Sequence, residues 1–254
     1  MSALAGVLGF PVAHSRSPAM MTAAFAELEL DWRYLKLPVP PERFAETARA
    51  LPGSGYRGAN VTIPHKLAAH DLADERSPAA EAIGAANTLT FHEGRVHADN
   101  TDAGGLIDAL DEDPGGRRAL VLGAGGAGRA AVWALREAGA EVAVWNRTRE
   151  RARVLAAEFG VEHAERPARP ADLLVNATSL GLRGEDLPAL VGLEPAPVVV
   201  ELVYGPEPTA LERWARERGA RVVDGLEVLV RQGARSLERW TGRSAPLDAM
   251  RRAV

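Results

Sequence analysis

Apolar runs of strand length alternate with helix-patterned stretches along most of this chain, and that order constrains its fold more than any other feature. LAGVLGF at residues 4–10 is followed by a helical pattern over 17–28, WRYLKLPV at 32–39 by one over 41–51, and GANVTI at 58–63 by one over 64–72. Strands separated by helices pair in parallel, and ligands of such sheets bind beyond the carboxyl ends of the strands. NTLTFHEGRVHADN at 87–100 breaks the pattern with two alternating segments around a glycine turn, which predicts a hairpin. From residue 117 a second series begins, with RALVL, EVAVW, DLLVNATS and PVVVELVYG. The chain therefore reads as two α/β lobes joined near residues 100–105. A strong helix over 225–240 stops at Gly242, and 246–254 adds a short terminal helix.

Composition sets the outer limits. A chain of 254 residues with 46% hydrophobic content suffices for two ordinary cores. A formal charge of −4 gives no electrostatic footprint for nucleic acid, and no apolar run reaches the roughly 18 residues that span a bilayer. The opening MSALAGVLGFPVAHS lacks a basic leader and reads as a strand entering a loop. With no cysteine there is no thiolate nucleophile or disulfide framework, which fits a cytoplasmic protein. The six histidines lack ligand spacing, so no metal is expected.

The scarce side chains mark where chemistry is concentrated. Only two of thirty basic residues are lysines, there is a single glutamine, Gln232, and the asparagines are Asn60, Asn87, Asn100, Asn146 and Asn176, nearly all beside turns or strand ends. Gly123, Gly125 and Gly128 form G-x-G-x-x-G directly after one strand and before an alanine-rich helix. In that context the glycines give a tight turn, a close approach to a pyrophosphate and a helix N-terminus that favours negative charge. The next strand ends at Asn146, where an NAD site places an acid on the ribose. Arg147, Arg149, Arg151 and Arg153 follow instead. Arg147 and Arg151 stand about one helical turn apart and suit a 2′-phosphate, whereas Arg149 and Arg153 read as a solvated face. NADP is thus expected over NAD.

In the first half, Lys66 follows Pro64 and His65 at the mouth of a predicted helix, downstream of a strand that carries Asn60 and Thr62 on one side. A cation there opposes the helix dipole, so function explains it better than stability. A partly buried lysine can exchange a proton as a ketone becomes an alkoxide, and Asp102 is its natural partner. Ser17 is placed to cap the helix that begins with Pro18, and Ser15 beside it makes a cradle for a carboxylate.

Taken together, GFPVAHSRSP, GANVTIPHK, GAANTL, DNTDAGG, GAGGAGRA, WNRT, NATSLG, ELVYGPEPT and GLEVLVRQGA resemble the shikimate dehydrogenase family nearly end to end. The resemblance implies an open α/β substrate domain over residues 1–101, completed by 226–254, and a Rossmann-type doubly wound NADP domain over 102–225. It implies NADP-dependent, reversible reduction of 3-dehydroshikimate to shikimate, by a monomer or homodimer. Lys66 and Asp102 would serve catalysis and touch substrate. Ser15, Ser17, Thr62, Asn87, Tyr204 and Gln232 would hold the substrate, with Asn60 nearby. Gly123, Ala124, Gly125, Gly126 and Ala127 would lie at the pyrophosphate, Asn146, Arg147, Thr148 and Arg151 at the adenosine phosphate, and Leu202 and Gly225 near the nicotinamide.

The chain departs from the family pattern at Met21 and Thr22, where His-Asn is common, at Glu201, where aspartate is frequent, and at Val228, which replaces a frequent methionine. A quinate/shikimate dehydrogenase, which often prefers NAD, is the neighbouring reading, and the missing acid at Asn146 argues against it. A catalytically silent NADP-binding sensor is a reading from another class, and the retained Lys66 and Asp102 argue against that.

Overall fold

The structure, a computed structural model, describes residues 2–187 and 192–254. It divides into two compact units, Met1–Gly105 with Leu229–Val254, and Leu106–Val228. Sequence reasoning put the divisions at 101/102 and 225/226. The compact units divide a few residues further on, inside helices, with Asp102 in the first unit. No helix among the described residues is long and apolar enough to cross a membrane.

The first unit is built on a six-stranded sheet. Its strands are β1 (Ala3–Gly9), β2 (Trp32–Pro38), β3 (Tyr56–Val61), β4 (Glu75–Arg76), β5 (Thr88–His92) and β6 (Arg95–Asp99), in the order β2-β1-β3-β5-β6-β4. β1 pairs in parallel with β2 and β3, while β5 runs antiparallel to both β3 and β6. The β5–β6 hairpin turns at Glu93 and Gly94, both with positive φ, as the glycine signal predicted. Side-chain alternation along β1 feeds two cores. Ala5 and Val7 pack with Met20, Met21 and Phe25 of α1 (Ser17–Glu27), and Leu8 packs with Phe44 and Ala48 of α2 (Phe44–Ala50) and Ala69 of α3 (Lys66–Leu72).

The helical pattern read over 41–51 is a 3-10 turn, Pro41–Arg43, followed by α2. Two further helices escaped sequence reasoning, α4 (Pro78–Ile83) and α5 (Thr101–Leu110). The expected joint at 100–105 lies mostly within α5. Two adjacent glycines, Gly104 and Gly105, weaken helix propensity there by about 1 kcal/mol each, so packing and capping have overridden local preference.

Among the described residues the second unit has only parallel strands: β7 (Arg118–Leu122), β8 (Glu141–Trp145), β9 (Glu162–His163), β10 (Leu173–Asn176), β11 (Val198–Glu201) and β12 (Arg221–Val223). Their order, β12-β11-β10-β7-β8-β9, is the 3-2-1-4-5-6 order of a doubly wound dinucleotide fold, with its switch point between β7 and β10. Ala119 and Val121 of β7 join one core cluster, Leu120 and Leu122 the other, and β10 and β11 alternate likewise. Strands buried on both faces explain why these runs are apolar throughout. Helices α6 (Gly126–Glu137) and α7 (Arg149–Phe159) cover one face, and α8 (Ala210–Glu217) covers the other. Two more helices close the chain, α9 (Gly225–Thr241) and α10 (Leu247–Arg252). α9 contributes Val228 to the second unit's core and Val230, Ala234 and Leu237 to the first's.

Candidate active site

In the first unit the candidate groups converge on one ion pair. Lys66 Nζ donates to Asp102 Oδ2 at 2.6 Å, with the two side chains 14% and 19% exposed. Lys66 is the first residue of α3, and the turn before it is anchored by His65. The His65 ring stacks on Phe44 at 4.5 Å, and its Nε2 lies 2.7 Å from the Val39 carbonyl, an acceptor, so Nε2 carries the proton. Burial lowers the His65 pKa against the opposing pull of that hydrogen bond, which makes it a satisfied core histidine and not a proton carrier. Asp102 sits in the first turn of α5, where the helix dipole favours its charge, and Asn100 Oδ1 closes that turn by accepting from Ala103 N at 3.2 Å.

A hydrogen-bond chain fixes which way Asp102 points. Thr101 N–H, which can only donate, gives its hydrogen to Asn87 Oδ1 at 2.7 Å. That sets the flip of the Asn87 amide, and its Nδ2 then donates to Asp102 Oδ1 at 2.8 Å and to Gln232 Oε1 at 3.1 Å. One carboxylate oxygen is therefore committed to Asn87 and the other to Lys66. Behind Asn87, the hydroxyls of Thr88, Thr101 and Ser236 stand 2.8 to 3.1 Å apart. Asn60 Nδ2 donates to Ser236 Oγ at 2.8 Å while Tyr34 O–H donates to Asn60 Oδ1 at 2.7 Å. Every member behind Asp102 is buried and hydrogen-bonded, the condition under which a polar network rigidifies a site.

Tyr34, Thr88, Thr101 and Ser236 were missed by sequence reasoning. Ser236 carried a usable signal, because it follows Gln232 by one helical turn on the same face of α9, and its Oγ donates to the Gln232 carbonyl at 3.1 Å. Ser15 and Ser17 are both buried, but the capping of α1 differs from expectation. The helix starts at Ser17 itself, Arg16 occupies the cap position without a side-chain bond, and Ser15 Oγ accepts from Ser17 N at 3.3 Å. Ser15 thus takes the role expected of Ser17, because the non-helical turn ends one residue earlier. Thr62 is half-buried next to Gly9, and its carbonyl accepts from His65 N.

In the second unit the three glycines have three separate reasons. Gly123 has φ of 112°, and a β-carbon on it would stand 2.7 Å from the Ala177 carbonyl. A β-carbon on Gly128 would stand 2.1 Å from the Gly123 carbonyl, so glycine lets α6 close onto the turn. A β-carbon on Gly125 would meet no protein atom within 4 Å. Close packing thus requires the first and third glycines, and the second leaves an open face at the start of α6 that suits a pyrophosphate. Gly126 and Ala127 form the first turn of α6. Asn146 is tied to the turn, accepting from Ala124 N at 3.3 Å and donating to Thr148 O at 3.0 Å.

The four arginines that follow are all exposed and differ in their ion pairs. Arg149 pairs with Glu165 and Arg153 with Glu150, whereas Arg147 and Arg151 make no ion pair among the described residues. Leu202 and Tyr204 lie half-buried just beyond β11, and a β-carbon on Gly225 would stand 2.7 Å from the Val203 carbonyl. Tyr204 and Gln232 belong to different units. Among the described residues no group of three or more acidic or histidine side chains could hold a metal ion.

A 3-2-1-4-5-6 sheet with a glycine turn at its switch point, joined in one chain to an α/β unit holding a lysine–carboxylate pair, defines a two-unit α/β protein of the dinucleotide-binding class. Comparison with known proteins narrows the class. Residues 7–89 match the shikimate dehydrogenase substrate binding domain, 109–179 the shikimate/quinate 5-dehydrogenase domain and 225–254 the shikimate 5′-dehydrogenase C-terminal domain. Shikimate dehydrogenase (NADP(+)) of Methanopyrus kandleri is 45% identical over 98% of this chain and 93% of its own length. The protein of that name from Anaeromyxobacter dehalogenans is 46% identical over 100% and 96%. The structure of shikimate 5-dehydrogenase from Thermus thermophilus in complex with NADP(H) and shikimate is similar with a TM-score of 0.90 and 44% identity, over 99% of this chain and 98% of that one. The chain belongs to the shikimate dehydrogenase family.

Proposed function

We propose that this protein is an NADP-dependent shikimate dehydrogenase, which reversibly reduces the ketone of 3-dehydroshikimate to the hydroxyl of shikimate. The observation that carries the reading is the Lys66 Nζ to Asp102 Oδ2 contact of 2.6 Å, in a unit where Asn87 Nδ2 donates to the same carboxylate. NADPH, when bound, supplies the hydride. Lys66 gives the carbonyl oxygen its proton as charge develops there, and in the reverse direction takes the hydroxyl proton. Asp102 holds the ammonium in place and, itself held by Asn87, cannot turn away.

Ser15 and Ser17 receive the ring carboxylate, and Asn60, Thr62, Asn87, Tyr204 and Gln232 complete the substrate contacts. Gly123, Ala124, Gly125, Gly126 and Ala127 hold the pyrophosphate. Arg147 and Arg151, which have no carboxylate partner among the described residues, take the 2′-phosphate, with Asn146 and Thr148 shaping that turn. Leu202 and Gly225 receive the nicotinamide end. The first unit is accordingly the substrate domain and the second the NADP domain.

The deciding measurement is absorbance at the reduced-nicotinamide band with shikimate or quinate, each against NADP and NAD. Shikimate with NADP should be the fastest pair. Lys66→Ala should lower kcat by about 10²- to 10⁴-fold with NADP affinity unchanged. Asp102→Asn should also slow turnover, and the double variant should be less impaired than the product of the two, because the pair acts as a unit. A folded Lys66→Ala enzyme that turns over shikimate at the parental rate from pH 6 to 10 would sink the assignment.

A further inference from the structure

Two wholly buried side chains at the carboxyl ends of β10 and β11 take no part in the chemistry above. Asn176 ends β10 and Glu201 ends β11, they are register partners, and both are 0% exposed. Asn176 Nδ2 donates to Glu201 Oε1 at 2.8 Å and to Leu180 O at 3.2 Å, while its Oδ1 accepts from the amide and hydroxyl of Thr178 at 3.1 and 2.7 Å. Glu201 Oε1 also accepts from Val203 N at 2.9 Å. Its Oε2 stands 3.1 Å from Thr209 Oγ1, the N-cap of α8. One carboxyl thus joins the loop after β10, the loop after β11 and a helix cap.

The first of those loops borders the switch-point crevice, and the second lies beside it on the next strand. The loop after β10 carries Ala177, whose carbonyl meets the Gly123 turn so closely that a β-carbon there would be 2.7 Å away. The loop after β11 carries Leu202 and Val203, and Gly225 presses against the backbone of Val203 and Glu201, where a β-carbon would fall 2.7 and 3.1 Å from their carbonyls. A shift at the Asn176–Glu201 bridge would therefore reach the glycine turn on one side and Leu202 on the other.

We propose that Glu201, acting with Asn176, is a positioning residue for the cofactor: the bridge sets the spacing of the two loops beyond β10 and β11, and with it the seat of the nicotinamide end. The proposal rests on the NADP reading given above. Its chemistry calls for a neutral acid. Burial raises the Glu201 pKa to about 8, against hydrogen bonds from Val203, Thr209 and Asn176 that favour the ion. Glu212 of α8 adds to the rise by its charge; it is itself raised by burial, Arg216 and Arg213 draw it down, and Asp224 pushes it up. The Thr209 hydroxyl donates to Glu201 Oε2. Once Glu201 ionises, a second negative charge faces Glu212.

The test uses the full chain and measures dissociation constants for NADP and shikimate at pH 7 and 9, together with amide exchange of residues 202–204 in the free protein. Glu201→Gln keeps an acceptor for Asn176 and Val203 and stays neutral at both pH values. It should bind NADP as the parent does at pH 7, and lose the weakening, about tenfold, that the parent undergoes by pH 9. Asn176→Ala and Glu201→Ala should each weaken NADP about tenfold at pH 7, speed exchange of the Val203 amide, and leave shikimate affinity within about twofold. A folded Glu201→Ala with parental NADP affinity and parental exchange would overturn the proposal, and so would equal loss of both ligands. A Glu201→Gln protein as pH-sensitive as the parent would also overturn it. Should Glu201→Ala fail to fold, Asn176→Ala and the pH arm of Glu201→Gln decide. Should the parent bind no NADP, the functional reading falls, while amide exchange still decides whether Glu201 holds the loops.

Discussion

Asn87 is where single-residue chemistry and local geometry meet most tightly: one backbone N–H, that of Thr101, decides the orientation of its amide and hence of the Asp102 carboxylate. Sequence reasoning reached Lys66, Asp102, Asn60, Asn87 and Gln232 because rare polar side chains stood at strand ends and helix starts. It could not reach Tyr34, Thr88, Thr101 or Ser236, whose hydroxyls are unremarkable in a sequence and matter only because four separate elements bring them within 3.1 Å of their partners. Glu201 was legible only as a departure from pattern; its burial is a tertiary fact that carries a prediction for stability. The unfolded chain releases the Glu201 proton near the usual 4.5, whereas the folded protein keeps it to about 8, so the folded state binds more protons in that window. Stability therefore falls as pH rises from about 4.5 to 8, by on the order of 4 kcal/mol from this group, and is flat in respect of it above that. Glu212, raised by burial, slopes the same way. Urea unfolding at pH 5.5 and 8.5 should show a clearly smaller loss for Glu201→Gln than for the parent, and equal losses would refute a neutral Glu201.

Among elements, the strand–turn–helix over β7 and α6 was the most legible, since its glycine spacing follows directly from packing. Gly125→Ala and Gly128→Ala make a discriminating pair. The first adds a methyl that meets no protein atom within 4 Å at a φ of −89°, so unfolding should change little while NADP affinity falls. The second forces a methyl to within 2.1 Å of the Gly123 carbonyl, and should cost about 1 to 3 kcal/mol of stability as well as NADP binding. Chemical unfolding paired with NADP titration separates them; a destabilised Gly125→Ala that binds NADP normally would reverse the roles assigned here. The units do divide next to the joint read at 100–105, but the helix α5 that spans it was not foreseen, because Gly104 and Gly105 weaken its local signal. Strands of two or three residues, such as β4, β9 and β12, are too short to show alternation and were missed for that reason.

Across the whole molecule, the two units carry different ligands in the proposed function, which makes their responses separable. NADP at about a hundred times its dissociation constant should stabilise the fold by about 2.7 kcal/mol. Arg147→Ala, which in the proposed reading removes a charge-assisted phosphate contact worth about 1.5 to 3 kcal/mol, should abolish most of the melting shift at that NADP concentration. The shift with shikimate, and that with NAD, should remain. Equal loss with NADP and NAD would mean that Arg147 acts on folding and not on the 2′-phosphate. The sequence by itself determined the α/β class, the hairpin, the glycine turn and the family, because period-two apolar runs, turn residues and motif spacing are local properties that a chain carries before it folds. Only the tertiary structure decided that Asp102 lies in the first unit, that Ser15 and not Ser17 serves the helix start, which hydroxyls back Asn87, and that Glu201 is sealed between two loops. Each of these depends on groups far apart in sequence meeting within hydrogen-bond range, where burial and partner geometry, not residue type, set the outcome.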